Sequence, residues 1–336
     1  MSNATTQERR LHAANVAVML AMRATEFVRE SQRQGLRSGA ITKDDASPVT
    51  VADFASQAVV VTALRRALPA DEPLVLLGEE SDTMLRDPAQ AAILAAVVTA
   101  ARAADPSMDE AAVLEALSVP DADPSHESCW TLDPVDGTKG FLRGGQYAIC
   151  LAWIEAGEPT VGVMACPQLS LERDDPTVPS TTGLIAMAMR GDGASWSAAP
   201  ARANERLTTP RWIDGRPVRL ALSFEKAHGD ASAAEVLAAQ CGPLAPPLRL
   251  DSASKYVLVA HGRADMYLRI PHNERRENVW DHAAGVVIAQ EAGCITCDLD
   301  GRPLDFGRGP TLIANRGIIV APPALAERLV AAAGRE

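Results

Sequence analysis

The segment Asp133-Pro134-Val135-Asp136-Gly137-Thr138 follows an apolar run, Cys129 to Leu132, that is typical of a β-strand. Its two aspartates stand three residues apart across a turn that the proline fixes, so their carboxylates can converge on one point. The main-chain carbonyl of Val135 lies between them and can supply a third oxygen. Because hard divalent cations prefer oxygen ligands, the segment indicates a metal site.

The next residues, Gly137 to Gly140, expose backbone N–H groups and a hydroxyl, either at a helix N-terminus or in a loop, where a phosphate oxygen can sit. Asp, Pro and Gly are also the ordinary residues of surface turns, and this segment alone would favour a simple turn. It does not stand alone. Glu79 follows another apolar run, and Asp281 lies at the start of a predicted helix, where an isolated aspartate is usually an N-cap.

Hydrophobic periodicity predicts alternating strands and helices along the chain. Helices are predicted over residues 6–31, 53–68, 231–240 and 279–291, and two Ala-rich helices form an insert at about 88–118. Strands are predicted over residues 74–80, 129–133, 148–157, 160–167 and 218–223. A domain boundary is predicted near residue 214, between an N-terminal metal-binding α+β part (1–213) and a C-terminal α/β substrate-binding part (214–336).

Composition and charge argue against several classes of protein. With 336 residues, 47% of them hydrophobic, the chain can bury a large globular core. A net charge of −11 without a basic patch argues against binding to a nucleic acid polymer or an anionic membrane. The longest apolar run, residues 91–101, is far shorter than the ~20 residues that span a bilayer, and the N-terminus lacks a signal-peptide pattern. The sequence therefore predicts a cytoplasmic protein with reduced cysteines, in which Cys294 and Cys297 are half-buried thiols.

Four motifs in order, GEES from Gly78, DPVDGT from Asp133, KGFLRGGQYA from Lys139 and WDHAAG from Trp280, resemble the Mg²⁺-dependent, lithium-sensitive inositol monophosphatase superfamily. The resemblance covers nearly the whole chain. It implies an α/β (α+β) fold, a layered αβαβα sandwich of the inositol monophosphatase/fructose-1,6-bisphosphatase type, with the site between its two parts. Residues 43–57, 136–152 and 251–271 look most like the 3′(2′),5′-bisphosphate nucleotidases within that superfamily.

The resemblance implies two to three Mg²⁺ ions and their ligands, position by position. Glu79, Asp133 and the carbonyl of Val135 would hold one ion. Asp133, Asp136 and Asp281 would hold a second, and a third would lie near Asp53. Thr138, with Asp53 or Glu79, would orient the attacking water, so that no Ser or Cys nucleophile is needed.

The resemblance also implies a substrate pocket made of cations and hydroxyls, which suit a non-reacting phosphate and a nucleoside. Its members would be Gly137, Thr138, Ser223, Lys226, His228, Ser252, Lys255 and Arg269. Two of them have simpler explanations: Lys226 can be a solvated helix residue, and Arg269 can pair with a structural carboxylate.

These features predict a phosphomonoesterase that hydrolyses the 3′-phosphate of adenosine 3′,5′-bisphosphate to give AMP, with 3′-phosphoadenylyl sulfate as a further candidate substrate. The implied role is to clear a by-product of sulfate assimilation. An inositol mono- or polyphosphate phosphatase is the main alternative, since it would share the metal chemistry. A non-catalytic sensor of a phosphorylated ligand is disfavoured because every implied metal ligand is present. The oligomeric state is left open.

Overall fold

A computed structural model describes residues 3–34, 40–42, 48–119, 121–199, 204–224, 229–271 and 276–334. Its helices are α1 (Asn3–Arg33), α2 (Val51–Ala67), α3 (Ala91–Ala104), α4 (Glu110–Leu117), α5 (Thr138–Leu142), α6 (Ala231–Ala239), α7 (Ser254–His261), α8 (Ala283–Ala292) and α9 (Pro323–Ala333). Its strands are β1 (Ala40–Thr42), β2 (Pro48–Thr50), β3 (Leu76–Gly78), β4 (Cys129–Asp136), β5 (Ala148–Glu155), β6 (Glu158–Cys166), β7 (Leu184–Met189), β8 (Gly193–Ala198), β9 (Glu205–Leu207), β10 (Leu220–Leu222), β11 (Leu248–Arg249), β12 (Met266–Arg269), β13 (Ile295–Cys297) and β14 (Ile318–Ala321).

Two sheets form the framework of the protein. The larger has seven strands in the order β3-β4-β5-β6-β7-β8-β9, antiparallel except for the parallel pair β3–β4. The smaller has five strands in the order β11-β10-β12-β14-β13. Strands β1 and β2 form a separate two-stranded hairpin.

Both sheets are covered on both faces, which explains why their strands are almost continuously apolar. In β5, Ile149 and Leu151 pack toward α1 and α2, whereas Cys150 and Ala152 pack toward α7 and α8. The same alternation in β14 directs Ile318 and Val320 toward α7 and α8, and Ile319 and Ala321 toward α6 and α9. The layers therefore run α1/α2, seven-stranded sheet, α7/α8, five-stranded sheet, α6/α9, and the predicted αβαβα sandwich is confirmed.

Three of the predictions around the site differ from the structure. Helix α2 begins at Val51, ahead of the predicted start, because the hydroxyl of Thr50 accepts from the N–H of Ala52 and caps the first turn. Helix α8 begins at Ala283, so that Asp281 lies before the helix and is not its N-cap. The predicted turn from Asp133 to Asp136 is wrong, because these residues belong to strand β4.

The two sheets separate along the chain between Leu207 and Leu220, on either side of the predicted boundary at residue 214. The division into two domains remains a prediction, and α8 packs on β6 of the larger sheet although it lies in the C-terminal part of the sequence. Among the described helices, none combines the length and the apolar character needed to cross a bilayer. Each of the six cysteines is buried with a free thiol.

The contact between β6 and α8 predicts a strong effect of adding one methyl group. A Cβ at Gly162 would lie 2.3 Å from Val287 Cγ1 and 2.8 Å from the carbonyl oxygen of Ala284. We expect Gly162→Ala to lower the free energy of unfolding by about 1–3 kcal/mol, because the backbone of α8 must move away from the sheet. Urea denaturation is the measurement. Gly334→Ala is the control, since its Cβ meets Val330 O at 3.6 Å; equal stability losses in the two variants would contradict this packing.

Candidate metal and phosphate site

A β-bulge in β4 replaces the turn that was predicted between Asp133 and Asp136. Asp133 pairs with Cys150 and Asp136 pairs with Ala148, so β4 uses one residue more than β5 over the same interval. The bulge is held locally: the N–H of Val135 donates to Asp133 Oδ1 at 3.0 Å. Residues three apart in a regular strand point to opposite faces of the sheet. A bulge bends the strand and changes the direction of its side chains, so Asp133 and Asp136 can both point to the same side.

Four carboxylates act on one another around this bulge: those of Glu79, Asp133, Asp136 and Asp281. Burial raises the pKa of Asp133 well above its usual range, and the charges of Glu79, Asp136 and Asp281 raise it further. A hydrogen bond with the Glu79 side chain, in which one of the two carboxyl groups carries the proton, also raises the pKa of Asp133. Burial likewise raises the pKa of Asp281, followed by the charges of Asp136 and Glu79. Such a group of buried like charges disfavours its own ionisation and is stabilised by a cation.

Positive groups and a backbone N–H act on Asp136. Burial raises its pKa to about 6, while the charge of Lys255 and the N–H of Ala253 act in the opposite direction. That N–H donates to Asp136 Oδ2. Burial in turn lowers the pKa of Lys255 to about 8, against the attraction of Asp136. The opposite charges of Asp136 and Lys255 therefore attract each other, and the hydrogen bond from Ala253 joins the β4 bulge to the start of α7.

The loop before α7 is built around Ser252, whose φ of +85° is strained for a residue with a side chain. The Lys255 ammonium donates to the carbonyls of Leu250 and Ser252, and the hydroxyl of Ser252 lies 2.8 Å from that of Ser254. A Cβ at Gly137 would lie 3.2 Å from Ser252 Cβ, so the loop contacts the backbone that follows the bulge. The structure thus brings together Gly137, Ser252 and Lys255. The Lys255 ammonium holds the loop through its two hydrogen bonds to backbone carbonyls.

Asp53 and Thr138 lie next to the bulge, and Thr50 fixes their arrangement. Asp53 is 1% exposed, and its Oδ2 accepts from both the N–H and the hydroxyl of Thr50, at 2.8 and 2.5 Å. Its Oδ1 lies 3.4 Å from Thr138 Oγ1, which is also 3.2 Å from the carbonyl oxygen of Val135. Sequence analysis did not single out Thr50, although the spacing Thr-x-x-Asp at a helix start is the signal of a capping box.

Gln57 is a second residue that sequence analysis missed. Its side-chain oxygen accepts from the N–H of Glu80 at 3.1 Å, and its amide donates to the carbonyl of the same residue. Gly78 permits this approach, since a Cβ there would lie 2.9 Å from the Gln57 side-chain oxygen. The N–H of Glu79 donates to Leu132 O at 3.3 Å. The segment that carries Glu79 is thereby fixed against both α2 and β4.

Arg269 ends β12 in a buried ion pair with Glu277. Its Nε donates to Glu277 Oε1 at 2.9 Å and its Nη2 to Oε2 at 2.6 Å. Burial alone would raise the pKa of Glu277, but His282 and Arg269 lower it overall. Arg269 and Ser223 both line a cavity of about 230 Å³. Lys226 and His228, also predicted at the substrate pocket, lie outside the described residues.

Within the part of the chain that the structure describes, the group whose potential metal ligands all lie within 4.8 Å of one another is Glu277, Asp281 and His282. Both oxygens of Glu277 accept hydrogen bonds from Arg269, so ion pairing accounts for its place in this group. The carboxylates at the bulge are spaced more widely than this group, and with the Val135 carbonyl they are oxygen donors of the kind that a hard divalent cation prefers.

Comparison with known proteins agrees with this fold. The model of the inositol monophosphatase family matches residues 10–336. A 3′(2′),5′-bisphosphate nucleotidase of Emericella nidulans is 34% identical over 97% of both chains, and one of Schizosaccharomyces pombe is 37% identical over 88% of this chain and 86% of the relative.

Solved structures show the same architecture at lower identity. CysQ from Bacteroides thetaiotaomicron superimposes with a TM-score of 0.59 at 21% identity, over 93% of this chain and 97% of its own. An inositol monophosphatase from Anabaena gives 0.60 at 18% identity, over 98% of this chain and 97% of its own. The chain belongs to the inositol monophosphatase family.

Proposed function

We propose that this protein is a metal-dependent phosphomonoesterase that hydrolyses the 3′-phosphate of adenosine 3′,5′-bisphosphate to AMP and phosphate. The observation that carries the proposal is the meeting of buried, mutually repelling carboxylates with the Asp53–Thr138 pair at one bulge. The nucleotide is proposed because the bisphosphate nucleotidases of two fungi match nearly the whole chain at 34% and 37% identity. 3′-Phosphoadenylyl sulfate is a second candidate substrate of the same pocket.

The proposed metal ligands are Glu79, Asp133, Asp136, Asp281 and the Val135 carbonyl, with Asp53 near a third ion, and Mg²⁺ is the proposed metal. When bound, Mg²⁺ neutralises the phosphoryl oxygens and makes an attacking water more acidic. The charge balance of the site supports this choice, because the charge of Lys255 opposes that of Asp136, while the largest charges acting on Asp133 are those of three carboxylates.

The attacking water is oriented by Thr138 in this proposal. If the Thr138 hydroxyl donates to Asp53 Oδ1, its lone pairs remain to accept a hydrogen from water, and the Val135 carbonyl stays available as a ligand. Thr50 supports this polarity, because its two hydrogen bonds to Oδ2 hold the Asp53 carboxylate in place. Asp53 and Thr138 then position the water, and the proton that it loses can pass toward Asp53.

The substrate lies, we propose, between the loop at Ser252 and the cavity lined by Ser223 and Arg269. Gly137 and Thr138 face the reacting phosphate, and Arg269 faces the phosphate that does not react. Lys255 acts mainly on Asp136 and on its own loop, since its ammonium donates to two carbonyls there. Lys226 and His228 remain proposed nucleotide contacts from the resemblance alone.

Phosphate release tests the proposed reaction. We expect the protein to release phosphate from adenosine 3′,5′-bisphosphate faster than from inositol 1-phosphate at matched concentrations, and only with Mg²⁺, because EDTA removes the charge that balances the carboxylates. A preference for inositol 1-phosphate would contradict the nucleotide assignment. Absence of release from both compounds in Mg²⁺ would contradict the assignment as an enzyme.

Thr138→Val tests the orientation of water, since valine keeps the shape of threonine and removes its hydroxyl. We expect kcat for adenosine 3′,5′-bisphosphate to fall by about 10²- to 10⁴-fold, with KM changed little, because the substrate still binds and the water loses its acceptor. Thr138→Ser, which keeps the hydroxyl, is the matched control and should retain most of kcat. Steady-state kinetics that show equal kcat in the valine and serine variants would refute this role.

A further inference from the structure

Glu277 belongs to a buried relay of side chains that the proposed reaction does not use. Tyr256 Oη lies 2.9 Å from His282 Nδ1, and His282 Nε2 lies 3.3 Å from Glu277 Oε2. Glu277 then holds Arg269 through two hydrogen bonds, at 2.9 and 2.6 Å. The side chains of Arg269 and Glu277 are 9% and 14% exposed, so water screens their pairing weakly.

The hydrogen bonds of the relay have one consistent direction. A carboxylate only accepts, so His282 donates from Nε2 to Glu277, and its Nδ1 is left to accept from the hydroxyl of Tyr256. Glu277 therefore accepts a hydrogen bond from His282 at Oε2, and both of its carboxylate oxygens accept hydrogen bonds from Arg269. The carboxylate has little freedom to turn, and the bidentate pair fixes the plane of the guanidinium.

The surroundings of Arg269 explain why such an anchor is needed. The charges of Asp136 and Asp281 interact with Arg269, and each is a proposed metal ligand. Without Glu277, these carboxylates would attract the guanidinium away from the cavity that it shares with Ser223, and Tyr267 would remain as its other hydrogen-bond partner. Glu277 thus competes with the proposed metal ligands Asp136 and Asp281 for Arg269.

We propose that Glu277 is a positioning residue that holds Arg269 toward this cavity, and that the protein thereby selects substrates that carry a second phosphate. The inference rests on the proposed function for its choice of substrate. A bidentate guanidinium held in one plane presents its remaining N–H groups to a phosphate in a fixed geometry. A substrate with a single, reacting phosphate makes no use of this arrangement.

The test compares KM for adenosine 3′,5′-bisphosphate with KM for adenosine 3′-monophosphate. In Glu277→Gln we expect KM for the bisphosphate to rise about 10- to 100-fold, because the charge-assisted pair that orients Arg269 is lost. KM for the monophosphate and kcat for both substrates should change little. Equal changes of KM for both substrates, or a fall in kcat with KM unchanged, would mean that Glu277 acts on the general structure of the site.

Glu72→Gln is the matched control. It breaks the partly buried pair of Arg10 and Glu72, 3.0 Å apart with side chains 12% and 26% exposed, at α1 and outside the cavity. Its thermal stability and that of Glu277→Gln are measured together. We expect the control to leave the ratio of the two KM values unchanged; the same altered ratio in both variants would overturn the inference.

A double-mutant cycle separates action through Arg269 from loss of folding. If Glu277 acts only by orienting Arg269, then adding Glu277→Gln to Arg269→Ala produces no further rise in KM for the bisphosphate. Independent, multiplying effects of the two changes would contradict the proposal.

Binding of AMP, measured by calorimetry, tests the same point without turnover, because AMP carries only the second phosphate. We expect Glu277→Gln to weaken the binding of AMP about as much as it raises KM for the bisphosphate, and to leave the binding of adenosine unchanged. Unchanged AMP binding would overturn the role of Glu277, whereas failure of the wild-type protein to hydrolyse the bisphosphate would overturn the proposed function alone.

Discussion

Repulsion among the carboxylates of Glu79, Asp133 and Asp281, of which Asp133 is buried and the other two half-buried, is the interaction around which the rest of the site is arranged. Burial and the neighbouring negative charges both raise the pKa values of Asp133 and Asp281. The folded chain therefore holds these carboxylates together although their charges repel one another. Such a cluster persists only where many other contacts of the fold hold its residues in place. Asp133 lies in strand β4, Glu79 directly follows β3, and Asp281 lies just before α8, so the packing of these elements in the layered core fixes all three positions.

The positive charges of Lys255 and Arg269 act mainly on different carboxylates. Lys255 is directed at Asp136 and at the carbonyls of its own loop, and Arg269 is anchored by Glu277. Asp133 differs, since the largest charges that act on its pKa are those of Glu79, Asp136 and Asp281. In the proposed function, a bound cation would balance these charges, and Arg269 would remain for an anionic group of the substrate. The proposal therefore assigns metal binding and substrate selection to different charged groups.

Much of the fold and site could be predicted from sequence because the signals are local. Apolar runs that end in acidic residues placed Glu79 and the Asp133–Asp136 segment at strand ends, and the family resemblance supplied the αβαβα layers. The bulge was missed because proline is rare inside central strands, so Pro134 favoured a turn. Gln57 and Glu277 were missed for another reason: each acts on a residue brought near by folding, and its own neighbours in sequence carry no sign of that contact. Thr50 did carry a local signal, the capping box with Asp53.

The most direct test of the central claim is thermal unfolding of Asp133→Asn and Asp136→Asn, each with EDTA and with Mg²⁺ at pH 8. If the cluster is held together for a cation, Asp133→Asn is at least as stable as the wild type in EDTA, because an amide relieves the repulsion, and it loses the stabilisation by Mg²⁺. Asp136→Asn is less stable even in EDTA, because Lys255 stays buried without its counter-charge. If Mg²⁺ stabilises Asp133→Asn as much as the wild type, or if both variants lose the same stability in EDTA, the account is contradicted.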